Sequence, residues 1–388
     1  MHSFDKKDFE NIQPYADTQI HSALGRIVED PVFATIAKFV FPEKSLNETK
    51  ELLASIYSAS DFQVKFMHKA VRRVVETSSD GLSCQGFENI DPKKAYLFIA
   101  NHRDIVLDSA ILQALCVEHN VPTTEITFGN NLMSSPFIID FGKVNKMFTV
   151  FRGGSKFEIL NNSKILSAYI RYTIVEKNNS VWIAQRNGRT KDGNDKTEEA
   201  LLKMLNMSGK KSLMENFSEL NIIPLTISYE YEPCGTLKVL ELYQSLDAEY
   251  KKSAGEDLKS IITGFTQPKG KIHLCIGSRI DVDSAIDVHK SNNENIKMLA
   301  NIINDNIYKD YKLWKTNYIS YDLLHGTSEY DKFYSGIDKN NFINFIDKEI
   351  NELKWDRSIL KDIYLKIYSA PLENFIGRGK VSQFSVHS

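Results

Sequence analysis

FIANHRDIVLDSAIL, residues Phe98 to Leu112, joins two patterns of different period. The apolar run Ala95–His102 (AYLFIANH) has the length and composition of a strand buried on both faces. It stops at Asn101-His102, and from Leu107 to His119 (LDSAILQALCVEH) apolar residues recur at helical spacing. A strand, a short polar turn and a helix in that order make the repeating unit of an α/β sheet. They also set a histidine at the strand's C-terminal end, where ligands of such sheets bind.

The same grammar repeats outward from this unit. Glu125–Gly129 (EITFG), Lys146–Gly154 (KMFTVFRGG) and Ser180–Gly188 (SVWIAQRNG) are short apolar runs that end in polar or glycine-rich turns. Helical spacing fills Asn162–Lys177 between two of them. Further strands are expected at Asn221–Tyr231 (NIIPLTISYEY), Thr236–Leu246 (TLKVLELYQSL) and Lys271–Ile280 (KIHLCIGSRI). The expected class is therefore α/β, a mixed, partly parallel central sheet flanked by helices. Residues 1–84 read as a helical N-terminal region, broken at Pro42, and residues 85–289 as the α/β domain. Residues 290–388 read as a helical C-terminal region ending in a loose tail, GRGKVSQFSVHS.

Composition narrows the function classes. The 388 residues are 42% hydrophobic and 25% charged with a formal charge of -2, which argues against non-specific nucleic-acid binding. The four cysteines, Cys84, Cys116, Cys234 and Cys275, are far apart and show no metal-ligand spacing, so no metal site is expected and reduced thiols are. The polar N-terminus is not a secretory signal, and no apolar run reaches the ~18–20 residues needed to span a bilayer. A cytoplasmic protein is expected, with peripheral membrane contact left open. Pro31–Pro42 (PVFATIAKFVFP) is either core or a segment that dips into lipid.

Histidine changes charge near neutral pH, and a general base of this type works with a carboxylate that holds its ring and stabilises the imidazolium. His102 has two candidates for that carboxylate. Asp108 lies in the first turn of the following helix, and Asp104 is two residues away. Two further strand ends place arginine beside glycine: Arg152 before Gly153-Gly154, and Arg186 and Arg189 around Gly188, with Lys191 just beyond. Arginine forks match phosphate or carboxylate oxygens, and glycine lets backbone approach an anion.

Taken in order, these motifs resemble those of the glycerolipid acyltransferase family, the glycerol-3-phosphate and 1-acylglycerol-3-phosphate acyltransferases, over roughly residues 85–230. The likeness rests on Asn-His followed by Asp (His102, Asp108), an apolar strand ending in arginine (FTVFR, Arg152), IAQRNGRTK where the family has a Phe-Pro-Glu-Gly-Thr-Arg-Ser type, and a strand with an internal proline (IIPLTISY, Pro224). Two departures stand out. Five residues separate His102 from Asp108 where the family has four, and Asn187 stands where the family has glutamate.

The resemblance implies transfer of an acyl group from acyl-CoA or acyl carrier protein to a hydroxyl of glycerol-3-phosphate or its 1-acyl derivative, in phospholipid biosynthesis. His102 would be the base and Asp108 its partner. Arg152, Gly188, Arg189 and Lys191 would hold the phosphate, and Asn187 and Pro224 would contact substrate. No cofactor is implied beyond the thioester co-substrate. Two alternatives remain at this stage: O-acylation of hydroxylated amino-acid lipids, and a non-catalytic lipid- or carrier-binding protein on the same fold.

Overall fold

The structure is a computed structural model that describes residues 6–253 and 255–378. Of the expected tail, residues 377–388, Gly377 belongs to the last helix, and residues 379–388 lie outside the described residues. Seven strands form one sheet: β1 (Gly81–Gln85), β2 (Leu97–Ala100), β3 (Glu125–Gly129), β4 (Met147–Val150), β5 (Val181–Ala184), β6 (Ile222–Tyr229) and β7 (Lys271–Ile276). Their spatial order is β1-β7-β6-β2-β5-β3-β4. All neighbours are parallel except β6 and β7. The mixed α/β sheet expected from the sequence is therefore present, with one edge strand, β1, that periodicity had not revealed. Its residues alternate between exposed and half-buried, so it lacks a continuous apolar run.

Helices cover the sheet. In chain order they are α1 (Asp17–Glu29), α2 (Pro31–Val40), α3 (Leu46–Ala54), α4 (Ala59–Phe62), α5 (His68–Ser78), α6 (Leu107–Glu118), α7 (Pro136–Val144), α8 (Lys156–Val175) and α9 (Glu199–Asn206). There follow α10 (Leu213–Ser218), α11 (Gly235–Gln244), α12 (Glu256–Thr266), α13 (Val282–Ala285), α14 (Asn292–Asp310), α15 (Lys315–His325), α16 (Gly336–Asn351) and α17 (Arg357–Gly377). The two faces of β2 sort the core. Leu97 and Ile99 pack with Tyr169 of α8 and Ile303 of α14. Phe98 and Ala100 pack with Val71 of α5 and Ile111 of α6. Buried on both faces, β2 can be apolar throughout, and each such side chain contributes ~1.5–3 kcal/mol relative to an exposed one.

The stretch Thr236–Leu246, expected to be a strand, is instead helical: residues Gly235–Gln244 form α11. Its apolar residues do not alternate. Val239 is buried against Ile319 and Tyr364, and the Lys238 ammonium is enclosed by Glu232 and a backbone carbonyl. Tertiary packing overrides the β-like composition. In the N-terminal region the segment Pro31–Pro42 is mostly α2. Phe33, Ala37 and Val40 face a core shared with α1, α3 and α4, while Val32 and Phe39 face outward. Past 290, the region expected to be helical holds four helices, α14 to α17, with α14 and α15 separated at buried Tyr311 and Trp314. Among the described residues, no helix is long and apolar enough to cross a membrane.

Candidate active site

The five mutually parallel strands β6, β2, β5, β3 and β4 end on one edge of the sheet. The turns beyond them carry most of the residues singled out from the sequence. His102 follows β2, with Ala100 paired to Ala184 of β5, and the His102 carbonyl accepts from Thr190 N–H at 2.7 Å. That bond ties the histidine turn directly to the Gly188-Arg189 turn.

Asp108, on the first turn of α6, is the carboxylate that reaches the ring. His102 Nδ1 and Asp108 Oδ2 are 2.9 Å apart. The same oxygen accepts from Arg103 N–H at 2.6 Å and Asp104 N–H at 2.9 Å, and Oδ1 accepts from Tyr229 O–H at 2.8 Å. A carboxylate with that many donors is an acceptor on both oxygens, so the ring nitrogen facing it carries the proton. The other nitrogen, Nε2, is thereby the basic one, and no group among the described residues bonds it. The His102 side chain is 12% exposed and meets Trp182 edge-on, with ring centroids 5.5 Å apart. The fifth residue between His102 and Asp108 is absorbed in the 103–106 turn, where Asp104 takes a different task. Its Oδ1 accepts from Val106 and Leu107 N–H, each at 2.9 Å, and so caps α6. Its Oδ2 is buried without a partner, against the backbone of α12 at Gly264. Burial, then the Asp108 charge, raises the Asp104 pKa above the ordinary carboxylate value.

Beneath this pair lies a charged network that sequence patterns did not reveal. Arg103, fully buried, donates to both oxygens of Asp195, to Glu232 Oε2 at 3.0 Å and to the Gly193 carbonyl at 3.0 Å, and stacks over Tyr311. Asn101 and Thr190 also donate to Asp195. Lys238 Nζ donates to Glu232 and to the Arg103 carbonyl. The network joins the ends of β2, β5 and β6 to α11. Its only sequence signal is an arginine next to the histidine; the acids lie 92 and 129 positions away.

The remaining candidates divide. Arg189 Nη2 donates to Ser260 Oγ of α12 at 3.1 Å, and its Nη1 is buried without a partner. Arg152 is held at its backbone N–H by Asn130 Oδ1, at 2.9 Å, and its side chain lies close to Gly129. Both guanidinium groups act on one carboxylate, Asp257 of α12, which is bonded to Asn131 and Lys252. The two turns thus send cations toward one region. Gly188 has φ +77° with open space where a Cβ would sit, a conformation that favours glycine. Lys191 is paired with Glu241 of α11; burial, then Lys252 and Arg189, pulls its pKa down to about 8, which leaves it mostly charged at pH 7.

Asn187 is exposed, and its N–H donates to Glu198 Oε2 at 3.2 Å. Pro224 is not at the mouth. It lies inside β6 opposite Ile99, and its carbonyl accepts from Gly277 N–H at 2.9 Å.

By sequence, the chain matches no family model and no curated protein. Among solved structures, it is similar to the crystal structure of the 1-acyl-sn-glycerophosphate (LPA) acyltransferase PlsC from Thermotoga maritima. The two share 12% identity with a TM-score of 0.36, over 73% of this chain and 91% of that one.

Proposed function

We propose that the chain is an O-acyltransferase that moves a fatty acyl group from a thioester to a hydroxyl of glycerol-3-phosphate or 1-acylglycerol-3-phosphate. The observation that carries this reading is the His102–Asp108 pair, with Nε2 open at the sheet edge where the Arg152 and Arg189 turns also end. The order of the four motifs along the sequence supports it.

In this mechanism His102 Nε2 takes the proton from the acceptor hydroxyl as its oxygen attacks the thioester carbonyl carbon. The tetrahedral intermediate collapses with cleavage of the carbon–sulfur bond, and the imidazolium returns the proton to the departing thiolate. Asp108 remains ionised throughout, holds the ring in the tautomer that leaves Nε2 basic, and stabilises the imidazolium. Arg152 and Arg189 bind the acceptor phosphate and orient the hydroxyl; holding both substrates in line supplies a large part of the rate. No covalent acyl-enzyme forms.

The test is release of free thiol from acyl-CoA, or from acyl carrier protein, in the presence of a panel of acceptors. Glycerol-3-phosphate and its 1-acyl form should give turnover that the His102→Ala variant lacks. A hydroxylated amino-acid lipid turned over in their place would move the acceptor class. If wild type and variant release thiol equally with every acceptor, the chain is a binding protein and the catalytic reading is wrong.

A further inference from the structure

The first turns of α8 stand clear of the core. Residues 151–161 are all exposed, and α8 reaches the core only from the half-buried Ile165 and Leu166 onward, so roughly 9 Å of it, residues 156–161, runs without a packed face. A surface helix of that length ordinarily exposes polar residues. Here Phe157 is 78% exposed, Ile159 47%, Leu160 44%, and Phe151, next to Arg152, 42%. The tip is nonetheless a defined helix, because Ser155 and Glu158 form a capping box. A cleft of about 180 Å³, lined by Ile12, Val150, Phe151, Ile165 and Leu166, separates this part of α8 from the N-terminal segment. Across the sheet edge, α12 exposes Leu258 and Ile262, each by more than half.

We infer that the α8 tip, Phe151 to Lys164, is the surface by which this protein docks on an anionic phospholipid bilayer, and that it presents the His102 site to lipid-borne substrate. Two features select a bilayer over a protein groove. Charge is the first: the segment carries Arg152, Lys156 and Lys164 against the single carboxylate of Glu158, on a chain whose net charge is -2. Among the described residues, neither Lys156 nor Lys164 has a carboxylate within ion-pair distance. Placement is the second. At ~100° per residue, Lys156 and Lys164 project among Phe157, Ile159 and Leu160, within the same half of the helix. A protein groove that buried those apolar side chains would strip the ammonium groups of water. At a bilayer surface the apolar groups enter the acyl boundary while the lysine heads reach the phosphates. The tip follows directly on the turn that carries Arg152, the residue assigned above to the acceptor phosphate.

This inference rests on the acyltransferase reading for its purpose, and its test does not depend on turnover. The full chain is sedimented with vesicles of phosphatidylcholine alone and of phosphatidylcholine with phosphatidylglycerol. Wild type should bind the anionic vesicles and release in high salt. Replacing Phe157, Ile159 and Leu160 together with serine should weaken binding roughly tenfold or more, since three large apolar groups no longer leave water. Lys156→Glu with Lys164→Glu should abolish the preference for anionic lipid. Val32→Ser with Phe39→Ser, which removes the exposed side chains of α2, should leave binding as it is. All variants change exposed side chains, so circular dichroism and turnover of a short-chain, water-soluble donor should match wild type. Wild type that ignores both vesicle types, or a serine variant that binds as well as wild type, would overturn the inference. So would gel filtration showing a wild-type dimer that the serine variant dissolves, with no vesicle binding. Loss of the thiol-release activity with vesicle binding intact would instead count against the catalytic reading alone.

Discussion

Replacing Asp108 with asparagine isolates the charge of the carboxylate from its shape. The amide oxygen can still face His102 Nδ1 and the Arg103 and Asp104 N–H groups, and the amide nitrogen can donate to the Tyr229 hydroxyl, whose rotor turns to accept. What disappears is attraction for the imidazolium that forms during reaction. With unit charges ~4 Å apart and an effective dielectric near 20, that attraction is about 4 kcal/mol. At ~1.4 kcal/mol per decade it corresponds to a rate loss of about a thousandfold. Asp104→Asn is the matched control. Its remaining oxygen keeps the α6 cap, and the oxygen replaced has no partner, so thiol release should fall by less than about tenfold. Initial rates of thiol release at saturating donor and acceptor, with melting temperatures beside them, compare the two. An Asp108→Asn enzyme within tenfold of wild type, or an Asp104→Asn enzyme more impaired than it, would refute the assignment of Asp108 as the partner of His102.

Three other outcomes follow from the same geometry. Arg152→Ala and Arg189→Ala should each raise KM for a phosphorylated acceptor ~10–100-fold, the worth of one charge-assisted contact, and leave an uncharged hydroxyl acceptor unaffected; equal effects on both acceptors would remove the phosphate role. Arg103→Leu should destabilise the fold by about 3–5 kcal/mol, because Asp195 loses its buried cation, and adding Asp195→Asn should restore part of the melting temperature. His273 of β7 is buried beside Ser83, and burial, then Lys312, pushes its pKa down to about 4. The unfolded ring protonates near 6.5, so the unfolded chain binds more protons between those values. Its contribution is therefore present above about pH 6.5 and is lost as pH falls toward 4, up to about 3 kcal/mol. Urea midpoints at pH 7 and pH 4.5 should differ less for His273→Gln than for wild type, and identical losses would exclude His273 as the source.

Reading the chain in order made the sheet and one edge of it legible. β2, β3, β4, β5, β6 and β7 are each visible as a run of apolar residues ended by a turn, because strands buried on their faces need that composition wherever they sit. Two elements escaped for opposite reasons. β1 is an edge strand and carries too few apolar residues to stand out. Residues 236–246 are rich in leucine and valine, yet they coil, because burying Val239 against α15 and α17 while placing Lys238 beside Glu232 requires a helical turn. The site divides in the same way. His102, Arg152 and Arg189 announce themselves at strand ends. Asp195, Glu232 and Lys238 do not, since nothing near them in sequence requires a charge.

The one-dimensional pattern determined that His102 and two arginine turns would emerge on the same side of a largely parallel sheet, because parallel strands all end on one edge. It left Asp104 and Asp108 as rivals for the histidine. Folding separated them: the N-terminus of α6 needs an acceptor for Val106 and Leu107, which takes Asp104, and Tyr229, 121 residues away, steadies Asp108 under the ring. Hydrogen bonds are settled by where donors are left unmatched in space. That depends on how α6, β6 and α12 pack together, and only the folded chain specifies it.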